Sequence, residues 1–157
     1  MELKQAAALA QEVVERLAPF CERIAVAGSI RRRRPFPRDI DLVLIPKNQG
    51  QLALALNELG DAPVAGKKLE RRLYKGVQVD IYFATPETWA TLLLIRTGSK
   101  ESNIRLTTLA KRRGWHLFAN GKGLYNEKDE RIAGDTEESF FEALGLPYAE
   151  PWNRGEA

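Results

Sequence analysis

The segment Asp39-Ile40-Asp41-Leu42-Val43-Leu44-Ile45 constrains this chain more than any other. Its residues alternate and are rich in β-branched and apolar side chains, which predicts a strand stopped by Pro46. Side chains alternate across a strand, so Asp39 and Asp41 share one face while Ile40, Leu42 and Leu44 share the other. A fold that accepts this strand must bury one face in a core and leave the other to polar chemistry.

The flanking pattern supplies that core. Leu9, Val13 and Leu17, with Ala6 and Ala10 on the same stripe, predict an amphipathic helix over 3–17 that ends at Pro19. Further helices are predicted over 51–59, closed by Gly60, over about 86–96, opened by Pro86, over 101–113, and over 135–144, started by Asp135. Strands are predicted over 23–27, 67–74 and 77–83, the last two turning at Lys75-Gly76. A small hairpin, 115–118 with 123–125, turns near Asn120-Gly121. Residues 31–38 read as a basic, proline-containing loop, and the tail from Gly145 as irregular. The order predicts an α+β fold: a mixed sheet with helices on one face over 1–96, then a smaller portion of helices and a short hairpin over 97–157.

Charge is unevenly spread. Residues 1–126 hold 21 Lys or Arg against 12 Asp or Glu, a net +9, and residues 127–157 hold 3 against 9, a net −6. A basic body suits a polyanion such as nucleic acid or a nucleoside triphosphate, and equally a plain solvated surface. The single cysteine, Cys21, excludes an internal disulfide and a multi-cysteine zinc site, and is expected to be a spectator thiol. The sequence shows no signal peptide and no apolar run of the ~20 residues a spanning helix needs, so a cytoplasmic protein without membrane contact is expected.

Asp80 falls in the strand 77–83, on the face opposite Val79 and Ile81. If that strand neighbours 39–45, three carboxylates converge, a costly arrangement unless a cation neutralises them. Hard oxygen donors in such a cluster suit two Mg2+ or Mn2+ ions. The bland alternative is three surface aspartates on an open sheet face. Ahead of them, Gly28-Ser29 follows a strand, where a glycine lets backbone N–H groups approach a phosphate and a serine adds a donor. Arg31 to Arg34 then place guanidinium groups between this turn and the carboxylates.

The set Gly28-Ser29-Ile30-Arg31-Arg32, six residues, Asp39-x-Asp41, then Asp80 on a later strand, resembles the nucleotidyltransferase superfold of DNA polymerase beta, and specifically the palm of the family X DNA polymerases. Arg96-Thr97-Gly98-Ser99 and the following helix, Gly114-Trp115, Gly123-Leu124-Tyr125 and Leu144-Gly145-Leu146-Pro147-Tyr148 are similar to the thumb of its bacterial members. The resemblance implies a palm over 1–96 and a thumb over 97–157. It implies that Asp39, Asp41 and Asp80 are catalytic and hold the ions, with Asp80 also poising a primer 3′-hydroxyl. It implies that Gly28, Ser29 and Arg32 meet the triphosphate, that Gly98 and Ser99 lie along the incoming nucleotide, and that Asn103 touches its base. Lys111, Arg112 and Arg113 are candidates for a DNA backbone and equally for the carbonyl-rich end of their own helix.

The sequence also departs from the family. It holds no counterpart of the amino-terminal lyase domain or the helix-hairpin-helix fingers, so DNA binding is expected to be weak or supplied by a protein partner. Ile95-Arg96 stands in place of an aromatic pair, Gln78 in place of an arginine two residues before the third aspartate, and Thr107 in place of an arginine. Three functions follow: a minimal DNA polymerase transferring a nucleotide from dNTP to a DNA 3′-hydroxyl, in gap-filling repair; a stand-alone nucleotidyltransferase acting on a protein, RNA or small-molecule acceptor; or a non-catalytic nucleotide- or DNA-binding remnant.

Overall fold

In a computed structural model, which describes residues 1–155, the aspartate strand lies inside a five-stranded mixed sheet. Helix α1 (Leu3–Leu17) leads through a 3-10 turn, Ala18–Phe20, into β1 (Cys21–Val26) and a four-residue helix, α2 (Gly28–Arg31). Then come β2 (Ile40–Pro46), α3 (Gln49–Leu59), β3 (Val64–Ala65), β4 (Leu69–Tyr74) and β5 (Val77–Phe83). The sheet order is β1-β2-β5-β4-β3, with β2 and β5 parallel and the other pairs antiparallel. As the alternation requires, Ile40, Leu42 and Leu44 are fully buried on one side with Val79 and Ile81, under the apolar stripes of α1 and α3. Asn48 caps α3 by accepting from the Gln51 N–H, so the helix begins at Gln49, two residues before the expected start.

The opposite face carries the aspartates and, beside them, α4 (Trp89–Thr97), whose Trp89, Ala90 and Leu93 pack with Ala27, Val43 and Ile45. Pro86 does not open α4: residues 86–88 form a turn, and the Thr85 and Thr88 hydroxyls bond across it. Continuous with this core is α5 (Lys100–Arg112), followed by β6 (His116–Phe118), β7 (Gly123–Tyr125), β8 (Arg131–Ala133) and α6 (Glu137–Ala143). The expected hairpin is thus a three-stranded sheet, β6-β7-β8. Asp135 does not cap α6. Thr136 does, accepting from the Ser139 N–H, while Asp135 pairs with Arg131 at 2.6 Å.

The tail folds back. Pro151–Asn153 forms a 3-10 turn, Arg33 lies 3.5 Å over the Trp152 ring, and the Arg154 side chain is 0% exposed. Cys21 donates to the Leu17 carbonyl at 3.3 Å, and burial pushes its thiol up to about 11, an unreactive state. Among the described residues no helix is long and apolar enough to cross a membrane.

Candidate active site

Backbone pairing brings the three aspartates to one end of one sheet face. Asp41 in β2 lies directly opposite Asp80 in β5, and Asp39 immediately precedes β2. The Ala27 N–H donates to the Asp41 carbonyl at 2.8 Å, which ties the Gly28 turn to the aspartate strand. Gly28 is required there: its φ is +61°, and a Cβ would overlap the Asp41 carboxylate. Burial, then the charges of Asp80 and Asp39, push the Asp41 carboxyl up to about 6, with partial relief from Arg96 and Arg32.

An oxygen donor set under mutual repulsion is the chemistry that a hard divalent cation satisfies, and the room left by Gly28 is where Asp41 stands. Asp39 and Asp41 fit that demand. Asp80 is otherwise occupied. Arg71 on β4 donates from Nε to its Oδ1 at 2.7 Å and from Nη2 to its Oδ2 at 3.3 Å, and Gln78 Nε2 donates to Oδ2 at 3.3 Å. Among the described residues, no three His, Cys, Asp or Glu side chains stand as a ready metal cage.

A cleft of about 390 Å3 opens over the carboxylates, walled by Gly28, Ser29, Arg32, Arg38, Asp39, Asp41 and Arg96, with Phe36 at its rim. A neighbouring recess of about 400 Å3 shares Arg32 and Arg96 but is otherwise lined by Ile95, Gly98, Asn103, Ile104 and Ala119 among others. One compartment is charged and the other mainly apolar, with two guanidinium groups between them. Arg32 is fixed by donating to the Thr97 carbonyl at 2.6 Å and by close packing on Gly98, where φ is +71° and a Cβ would come within 3.1 Å of Nη1. The Gly98–Ser99 peptide is cis. Arg96 stacks on Tyr82 at 4.2 Å.

Two expected contacts are corrected. The Ser99 side chain does not face the recess: it is buried, accepts from the Ser102 N–H as the cap of α5, and donates to the Arg154 carbonyl at 3.1 Å. Arg113, a candidate for a DNA backbone or for the end of its own helix, turns to α6. It donates to the Ala143 and Leu144 carbonyls at 2.9 and 2.8 Å, closing the end of α6. Lys111 and Arg112 are exposed on α5. Asn103 donates to the Ile95 carbonyl at 2.9 Å, while its Oδ1 is buried without a protein partner at the recess wall.

The sequence reading missed three things. Arg71 sits in no motif, and Arg96, though part of the Arg96-Thr97-Gly98-Ser99 motif, was given no place at the site. The third is an ion network. Arg31 donates to Glu137 from both terminal nitrogens, at 2.8 and 2.6 Å, and to Thr97 Oγ1 at 2.8 Å; Arg154 donates to Glu137 at 2.7 Å. Burial raises the Glu137 carboxyl, but the bonds from Arg31 and the charges of Arg154 and Arg31 outweigh it and hold it below the usual range. A structural glutamate thus sits within the acidic segment, locking the turn after Gly28 to α6 and the tail.

The DNA polymerase beta thumb family model matches residues 92–155. The DNA polymerase/3′-5′ exonuclease PolX of Bacillus subtilis is 29% identical over 154 residues, covering 91% of this chain and 26% of its own length. The DNA nucleotidylexotransferase of Xenopus laevis is 33% identical over 88 residues, covering 54% of this chain and 17% of its own. The chain is similar to the palm and thumb of family X DNA polymerases. It spans about a quarter or less of the length of these two relatives. In fold, it matches Leishmania infantum polymerase beta in a ternary primer–template complex with TM-score 0.84 and in a ternary gap complex with 0.85. Those matches, at 22% and 21% identity, cover 99% of this chain and 77% and 71% of the other. The α+β architecture read from sequence is that of these polymerases.

Proposed function

We propose that this family X-like chain is a metal-dependent nucleotidyltransferase that adds a nucleotide from a dNTP to a DNA 3′-hydroxyl with release of pyrophosphate, as in gap-filling repair, with 1–96 as palm and 97–157 as thumb. The observation that carries the proposal is the pair of adjoining compartments bridged by Arg32 and Arg96. The charged one, with Ser29 and Arg32, suits a triphosphate; the apolar one, with Gly98 and the unpartnered Asn103 Oδ1 in its wall, suits a sugar and base. Asp39, Asp41 and Asp80 are the residues that would hold two Mg2+ or Mn2+ ions. When bound, such ions neutralise charge on the transferring phosphoryl group and lower the pKa of the attacking hydroxyl. The chain's own contribution is to orient the phosphates with donors held in place beforehand, Arg32 above all.

Primer extension tests this. Gapped and single-stranded DNA are offered with each dNTP and NTP in Mg2+ or Mn2+, beside Asp80→Ala. Extension that the variant loses is the expected result. Metal-dependent triphosphate binding without extension moves the assignment to a protein, RNA or small-molecule acceptor. Absence of binding makes the chain a non-catalytic remnant.

A further inference from the structure

Register places three residues in one row across the sheet: Asp41 on β2, Asp80 on β5 and Arg71 on β4. Directly opposed residues on neighbouring strands rise from the same face. Asp80 therefore has a carboxylate on one side and a guanidinium on the other, and it leans to the guanidinium, which binds both of its oxygens. Gln78, two residues earlier on the same face, adds to that hold. Asp39 and Asp41 line the charged cleft, and Asp80 does not.

We infer that Arg71 is a positioning residue: it holds Asp80 away from the other two carboxylates as an internal counter-ion, and a divalent cation recruits Asp80 by exchanging with it. The inference rests on the metal-binding reading of the site. Three ionised carboxylates repel one another without a cation, so in the free protein one of them is parked on a built-in cation. A bidentate guanidinium fits a carboxylate well enough to do this. Arginine keeps its proton throughout, so the exchange is a movement. The side-chain exposures, 35% for Arg71 and 8% for Asp80, give the guanidinium water to swing into while the carboxylate stays put at the site.

Mn2+ binding by electron paramagnetic resonance, on the full chain, distinguishes the cases. Arg71→Gln is expected to bind Mn2+ about tenfold tighter than the wild type, with Arg71→Lys between them. A second readout needs no variant and covers failure of Arg71→Gln to fold: the Arg71 Nε–H resonance of the wild type, slow to exchange with water in the free protein, becomes fast as Mg2+ saturates. Equal or weaker Mn2+ affinity in folded Arg71→Gln, or an Nε–H that stays protected at saturating Mg2+, overturns the inference. If Asp39→Asn abolishes Mn2+ binding while Arg71→Gln leaves it unchanged, only the role of Arg71 falls. If the wild type binds no Mn2+, the metal reading falls and the inference with it.

Discussion

Two clusters of charge lie at the two ends of Arg31 and Arg32, and they are built on opposite rules. Around Glu137, two arginines face one carboxylate, both of its oxygens accept from guanidinium groups, and Arg154 is sealed from water. Around Asp41, three carboxylates share a face, one is tied to Arg71, and the Asp41 carboxyl is driven up to about 6 by burial and by its neighbours. The first cluster is complete in the protein alone and fastens α2 to α6 and the tail. The second is incomplete in the protein alone, as a binding site for a cation is. Which cluster a charge belongs to decides the sign of what its removal does.

The largest expected effect sharpens that contrast in activity. Asp41→Asn should lower nucleotide incorporation by roughly three orders of magnitude, the scale on which preorganised electrostatic groups act, measured by single-turnover extension. Glu137→Gln leaves the aspartates alone and should lose far less activity. In stability the order reverses. Removing one partner of a buried ion pair leaves the other charge uncompensated, so Glu137→Ala should cost about 3 kcal/mol in urea unfolding. Asp41→Asn, measured in chelator at pH 8, should instead gain on the order of 1–2 kcal/mol, because ionising Asp41 opposes folding. An Asp41→Asn that destabilises the fold would refute the view of this cluster as an uncompensated site.

The pH dependence separates the two again. The Asp41 carboxyl is raised on folding, so its favourable contribution is present below the unfolded value, about 3.9, and is lost as pH rises toward about 6. The Glu137 carboxyl is lowered, so its contribution is present above the unfolded value, about 4.3, and is lost as pH falls through its folded one. Asp41→Asn should therefore be most stabilising, relative to wild type, above pH 6. Glu137→Gln should be most destabilising at neutral pH and approach wild type in acid. Urea midpoints between pH 3 and 8 check both slopes.

These clusters were unequally legible in the sequence. The aspartate face was readable because strand alternation is local: Asp39, Asp41 and the core residues between them fix their faces over a few residues. Arg71 was readable in principle as well. Lys75 and Gly76, with φ of 49° and 78°, form a two-residue hairpin turn that pairs Tyr74 with Val77, and stepping back along both strands sets Arg71 against Asp80. The Glu137 network was not readable, because Arg31, Glu137 and Arg154 meet only through the packing of α6 and the tail, 106 and 17 residues apart along the chain. The same holds for Ser99. Its motif pointed to the nucleotide, and only its bonds to the Ser102 N–H and the buried tail carbonyl of Arg154 show that the hydroxyl faces inward.

The smallest effects concern the two groups whose roles the packing divides. Ser99→Ala removes the cap of α5 and the bond to the tail, and should cost about 1 kcal/mol of stability. It should leave triphosphate affinity within about twofold, since the hydroxyl points away from the recess. At the end of α5, Arg113 is committed to the α6 carbonyls, and Lys111 and Arg112 to solvent. If the exposed pair meets a DNA backbone, Lys111→Ala with Arg112→Ala should weaken binding to any DNA sequence equally. The salt dependence of binding should fall by about two phosphate contacts, with the melting temperature unchanged. Arg113→Ala should do the reverse, lowering the melting temperature by a few degrees while the salt slope holds. A double variant with an unaltered slope would mean that this helix end serves only its own carbonyls.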